Sequence, residues 1–144
     1  MIRPYQDSDL ETVLDIWYQA SLVATPFLNQ EFLAQERKNI QEIYIPNTLT
    51  WVFEKEHGAK GFISMIGNEV GAIFVYPDFQ GQGIGRSLMD KVSGMHPVLE
   101  VEVFEKNASG RSFYDRYGFQ SLQQHLHEPT NEQMLRMRYS VSTD

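Results

Sequence analysis

Cysteine does not occur in the 144 residues. Its absence excludes disulfide frameworks, thiolate zinc sites and a thiol nucleophile. Basic residues are the next scarcity: 12 Lys and Arg stand against 19 Asp and Glu, a formal net charge of −7. Proteins grip nucleic acid by neutralising phosphates with cations, so this balance argues against generic DNA or RNA binding. Long apolar runs are missing too. Nothing approaches the roughly 20 consecutive apolar residues that span a bilayer, and the start, "MIRPYQDSDLE", lacks the apolar core of a secretory signal. The expectation is a cytoplasmic chain with no membrane partner. What is present suits a soluble globular protein, 42% apolar and 22% charged residues, at a length expected for one domain over residues 1–144. The acid is uneven: residues 1–60 carry nine Asp or Glu against five Lys or Arg, which favours a cationic partner on that half.

Periodicity supplies the elements. After a short apolar start, "SDLE" offers a capping box of Ser8 with Glu11, and Leu10, Val13, Leu14 and Trp17 follow at helical spacing. Asn29 caps a weaker second helix through Phe32, Leu33, Ile40 and Ile43, stopped by Pro46 and Asn47. Three strand-like runs come next, 49–54, 61–66 and 69–75; the last two are separated only by Gly67 and Asn68, a two-residue hairpin signal. A helix after the glycines runs to about Ser93 before Gly94, 98–104 alternates as a strand, and 107–117 reads as a helix with Gly118 as its left-handed cap. Strands near 119–126 and 133–141 complete a βααβββαβαββ order, an α/β (α+β) chain.

The stretch "YPDFQGQGIGRSLMD", residues 76–90, places Gly81, Gly83 and Gly85 between an apolar strand and a helix start. Glycine inside a helix costs about 1 kcal/mol relative to alanine. A strand that passes through a glycine turn into a helix N-terminus compensates by making an anion site, because free N–H groups and the helix dipole face outward. The stretch has no G-K-[ST], and Arg86 stands where a third glycine of G-x-G-x-x-G belongs. A dinucleotide site with Glu100 or Glu102 on the ribose, and a plain tight turn, remain alternatives on spacing alone.

The segment fits Q/R-x-x-G-x-G/A through Gln80, Gly83 and Gly85. "FVYPDFQGQGIGRSLM" resembles the pyrophosphate-binding motif of the GNAT superfamily of N-acetyltransferases, and "NASGRSFYDRYGF", 107–119, resembles the same superfamily's N-x-x-A-x-x-F-Y-x-x-x-G-F segment, with Gly110 in place of the usual alanine. The resemblance implies the GNAT fold, a mixed and mostly antiparallel sheet with helices on both faces. It implies acetyl-coenzyme A (acetyl-CoA) as co-substrate, the backbone of Phe74 and Val75 pairing with its pantetheine arm, Gln80, Gly81, Gln82, Gly83, Ile84, Gly85 and Arg86 around the pyrophosphate, and Asn107 opposite.

The acceptor would be an amine. A lysine-like amine with a pKa near 10.4 is neutral in about one molecule in 2,500 at pH 7, a penalty of about 4.6 kcal/mol that a general base must relieve. By resemblance Tyr114 holds the general-acid position. "VEVFEKN" is similar to a segment of the ribosomal-protein alanine acetyltransferases, which implies Glu102 as base, with Glu69 the second candidate. Period two sets Glu100 on the face of Glu102, an acidic pair suited to a cationic acceptor, and Phe27 and Leu28 lie where the family shapes its acceptor pocket. The expected activity is acetyl transfer to a protein lysine or N-terminal amine. The alternatives are a small-molecule amine acceptor and an acyl-CoA binding module without turnover. His125 and His127 share one side of a strand but have no further ligands at metal spacing, so they read as solvated strand residues and no metal is expected.

Overall fold

The computed structural model describes residues 1–141. The order is β1 (Ile2–Pro4), α1 (Leu10–Ala24), α2 (Gln30–Asn39), β2 (Leu49–Lys55), β3 (Gly58–Ile66), β4 (Glu69–Val75), α3 (Ile84–Ser93), β5 (Val98–Phe104), α4 (Ala108–Tyr117), β6 (Gln120–His127) and β7 (Glu132–Ser140). The strands form one sheet in the order β1-β2-β3-β4-β5-β7-β6. Neighbours run antiparallel except β4 and β5, so the expected mixed sheet is present. A sheet with one parallel pair among the described strands is no βαβ repeat, and the dinucleotide alternative falls on that ground.

Alternation along the strands feeds two cores. Ile63, Val70, Leu99, Val101 and Val103 pack with Ile84, Leu88, Met89 and Val92 of α3 and Tyr114 of α4 on one face. On the other, Val13, Leu14, Ile16 and Trp17 of α1 and Leu33 of α2 cover Val52, Ala59 and Phe62. The covering on this second face lies over β3 and β4. Farther along it, period two turns Glu100, Glu102 and Phe104 away from the core that holds Leu99, Val101 and Val103.

Two features open the sheet. In β4 the register slips between Ser64↔Ala72 and Met65↔Val70, leaving Gly71 unpaired as a bulge. β4 and β5 then share only the pairs Glu69↔Glu100 and Val70↔Val101. Beyond them β4 stays with β3 as far as Val75, and β5 stays with β7 as far as Phe104. The two strands therefore part into a V.

Several boundaries differ from the sequence expectation. The first helix is not capped by Ser8 with Glu11: a short turn, Asp7–Asp9, precedes it, and Asp9 Oδ2 accepts the Gln6 N–H at 2.8 Å. Asp9 is held there by Arg3, a partner far outside any local pattern. Strand β3 begins at Gly58 rather than 61, because Glu56 and His57, at φ 53° and 69°, make the two-residue turn. Other ends fall as expected: α3 stops at Ser93 with Gly94 as its cap (φ −73°), and Gly118 takes the left-handed conformation (φ +119°). Helix α2 is capped by Asn29, which accepts from the Phe32 N–H at 2.7 Å, and runs on through irregular turns to Asn47.

Candidate active site

A cavity of about 670 Å³ occupies the V and runs under α1 and α2. Strand phase decides which backbone groups face it. The Tyr76 N–H donates to Lys60 O of β3 at 2.8 Å, so alternation turns Phe74 towards β3 as well, and Ile73 and Val75 towards the V. The expected Phe74–Val75 backbone pair is thus shifted: the main chain of Ile73 and the N–H of Val75 face the V, and Phe74 contributes its side chain to the wall. The Val75 carbonyl already accepts the Gln80 amide at 3.0 Å, which fixes the start of the glycine turn.

In that turn Gly81 and Gly83 sit at φ +80° and +84°, and a Cβ on either would meet nothing within 4 Å. These two glycines are needed for backbone conformation and leave open space beside the chain. Gly85 has a different reason, since a Cβ there would lie 3.1 Å from the Phe113 ring; it permits α3 to approach α4. The first α3 bond runs from Ser87 N–H to Gly83 O at 3.0 Å, so the N–H groups of Ile84, Gly85 and Arg86 have no intrahelical acceptor. Gln82 is turned away, its amide oxygen 2.8 Å from Lys55 Nζ, and does not line the cavity. Arg86 does, as does Arg116 of α4; Arg116 fills an unspecified position of the 107–119 motif, and the packing of α4 brings it to the same space.

Asn107 lines the cavity and also starts α4, its Oδ1 accepting the Gly110 N–H at 2.9 Å. Alanine at 110 would put a Cβ 2.6 Å from the Asn107 amide nitrogen, so the glycine that departs from the motif and this cap go together. Tyr114, four residues before the Gly118 cap, is 8% exposed and lines the cavity. Burial alone pushes its phenol well above the ordinary tyrosine value, and it has no hydrogen-bond partner among the described residues. Its side chain thus meets the V as a phenol held in the protonated form.

The three glutamates converge on one cation that the sequence did not single out. Arg136 of β7 donates Nε to Glu100 (2.7 Å), Nη1 to Glu102 (3.1 Å) and Nη2 to Glu69 (3.0 Å). Register causes this: Glu69 faces Glu100 across the parallel pair, and Glu102 faces Arg136 across β5–β7. Arg138 adds a second contact to Glu100 at 3.1 Å. Hydrogen bonds from Arg136, then Arg138, hold the Glu100 carboxyl below the usual carboxylate range. Of the three, Glu102 alone lines the cavity. Its second oxygen lies 3.0 Å from Nε2 of the part-exposed His125, a neighbour that the expectation of a solvated strand histidine did not include.

At the acceptor end, Leu28 lines the cavity with Phe32, Leu33 and Ile40. Phe27 is outside it and instead meets Phe104 edge-on at 5.5 Å. His127 lines the wall between Phe104 and Phe32. Among the described residues no group of three His, Asp or Glu side chains is arranged to hold a metal ion.

A sheet split over a glycine turn is the architecture of acyl-CoA N-acyltransferases, and comparison with known proteins agrees. Residues 46–121 match the model of the acetyltransferase (GNAT) domain. The chain is 33% identical over 120 residues to the peptidyl-lysine N-acetyltransferase YiaC of Escherichia coli (strain K12), covering 83% of this chain and 82% of that protein. The solution structure of apo-form YjaB from Escherichia coli superposes with a TM-score of 0.86 at 25% identity, covering 96% of both chains. The PaiA N-acetyltransferase from Thermoplasma acidophilum, solved in complex with coenzyme A, gives a TM-score of 0.77 at 18% identity over 98% of both chains. The chain belongs to the GNAT acetyltransferase family and is an acyltransferase.

Proposed function

We propose that the protein transfers acetyl from acetyl-CoA to the side-chain amine of a protein lysine. The observation that carries this is a single cavity holding the parted β4 backbone, the buried Tyr114 phenol and the Glu102 carboxylate together. The names of the relatives YiaC and YjaB supply the acceptor class.

The residues present fit the donor. Ile73 and Val75 offer main-chain groups to the amides of a pantetheine arm. The open positive-φ turn at Gly81 and Gly83, the free N–H groups of α3 and the cations Arg86 and Arg116 suit a pyrophosphate. Acetyl-CoA supplies the thioester carbon that the amine attacks. Asn107 closes the V from the β5 side.

Glu102 accepts the proton that the amine sheds as the C–N bond forms. Arg136 fixes one of its oxygens and leaves the other for that proton. As the C–S bond breaks, the Tyr114 O–H donates a hydrogen bond to the sulfur that takes the electron pair. Because burial raises the phenol so far, it acts as a donor that steadies the thiolate more than as a source of a free proton. Glu69 and Glu100, both spent on Arg136, fix the position of that guanidinium.

Purified protein, acetyl-CoA and a panel of lysine peptides, followed by thiol release and mass spectrometry, provide the test. The expected result is acetylated lysine, with Gly83→Glu losing acetyl-CoA binding by calorimetry. Turnover of small polyamines with none of the peptides would move the acceptor to a small-molecule amine.

A further inference from the structure

The geometry points to His125 as the proton exit of the reaction, a relay that acts through Glu102. This inference rests on Glu102 as the base and adds a residue that the motifs do not contain. A carboxylate that accepts a proton each turnover must lose it before the next. Among the side chains that touch Glu102, one can take it. Its Oε1 is bound by Arg136 Nη1 at 3.1 Å, and a guanidinium accepts no proton. Its Oε2 lies 3.0 Å from His125 Nε2. The other charged groups of the cluster are Glu69 on β4 and Glu100 on β5, both bound by Arg136, and Arg138 on β7, which donates to Glu100.

The two ends of the pair differ in access. The Glu102 side chain is 31% exposed and lines the cavity, whereas the imidazole of His125, two strands farther across the sheet, is 41% exposed. In the neutral ring with its hydrogen on Nδ1, Nε2 is an acceptor. The proton passes from Glu102 Oε2 to Nε2, Glu102 returns to carboxylate, the imidazolium gives its Nδ1 proton to water, and tautomer exchange with solvent across the part-exposed ring returns the hydrogen to Nδ1 before the next turnover. One proton enters and one leaves, with no other reactant, and histidine is the side chain suited to both roles near neutral pH. The aliphatic and amide neighbours on β6, Leu122, Gln123, Gln124 and Leu126, offer no such group.

The experiment compares wild type, His125→Ala, His125→Gln and Glu102→Gln with a lysine peptide at fixed pH and ionic strength, with and without added imidazole. Both histidine variants are expected to lose about tenfold in kcat with the KM for acetyl-CoA unchanged. Imidazole is expected to restore His125→Ala in proportion to its concentration and to leave wild type and Glu102→Gln unaffected. Full kcat in His125→Ala, or a deficit that imidazole does not lift, would overturn the relay while a dead Glu102→Gln left the base in place. Full turnover by Glu102→Gln would remove the base and the relay together, whereas a wild-type protein that acetylates polyamines and no lysine peptide would overturn the acceptor class alone, the same variants then being compared on the polyamine. Thermal melts within a few degrees of wild type are expected for all three variants, since both side chains are partly exposed.

Discussion

Beneath α1 and α2 the sheet presents Val52, Ala59 and Phe62, all buried, while farther along the same face β5 and β7 present Glu100, Glu102, Arg136 and Arg138 in hydrogen-bonded contact. Both regions obey the same strand alternation. In the first, every side chain is packed by a helix and contributes to stability through burial. In the second, among the described residues, the charges are matched by one another instead, so their removal should be felt in chemistry before it is felt in folding. The V between β4 and β5 lies at the border of the two.

The sharpest division should come from Phe62→Ala, which empties a fully buried site. It is expected to lower unfolding free energy by about 3–5 kcal/mol in urea titration, whereas Glu102→Gln should change it by less than about 0.5 kcal/mol. Turnover reverses the ranking. Glu102→Gln is expected to lose about 100-fold in kcat and Tyr114→Phe about 10- to 100-fold, both with acetyl-CoA binding retained by calorimetry. A Glu102→Gln protein as unstable as Phe62→Ala would break the comparison.

Arg136→Gln tests the charged half through pH. Glu100, depressed by Arg136 and Arg138 below its ordinary 4.5, adds stability that is present above that value and is lost as pH falls through the depressed one. The melting-temperature gap between wild type and Arg136→Gln should therefore be widest above about pH 5 and narrow towards pH 3 in a series of thermal scans. The smallest effect belongs to the β2–β3 turn. His57→Gly, at φ 69°, should stabilise the protein by about 0.5–1 kcal/mol, because a side chain in the left-handed region is strained, as measured by denaturant midpoint.

Local pattern carried most of the architecture. The strand at 98–104, the helix ending at Gly118, the Asn29 cap and the glycine turn into α3 all depend on residues within a few positions of one another. The two motif resemblances pointed to Tyr114 and Glu102, and both line the cavity. What was not legible depends on long-range pairing. Arg136 matters because β7 inserts between β5 and β6, and nothing near residue 136 records that order. His125 reads as one of a pair of exposed histidines until the sheet sets it 3.0 Å from Glu102. The choice of Ile73 over Phe74 as the V-facing backbone turns on the phase of β4 against β3, which a hydrophobic run cannot reveal. The Ser8–Glu11 box gave way to Asp9 because an arginine on β1 competes for the local geometry.

The parting of β4 from β5 after two pairs leaves two sheet edges inside the molecule, each with main-chain groups that no strand of the described chain satisfies. A donor whose amides lie along those edges acts thermodynamically as a missing strand, and a ligand bound only to the folded state stabilises it by about 2.7 kcal/mol at a concentration 100 times its Kd. On the function proposed above, the acetyl-CoA level around the protein would set how often this seam opens. Amide hydrogen exchange at Ile73 and Val75 would then follow metabolic supply as well as temperature.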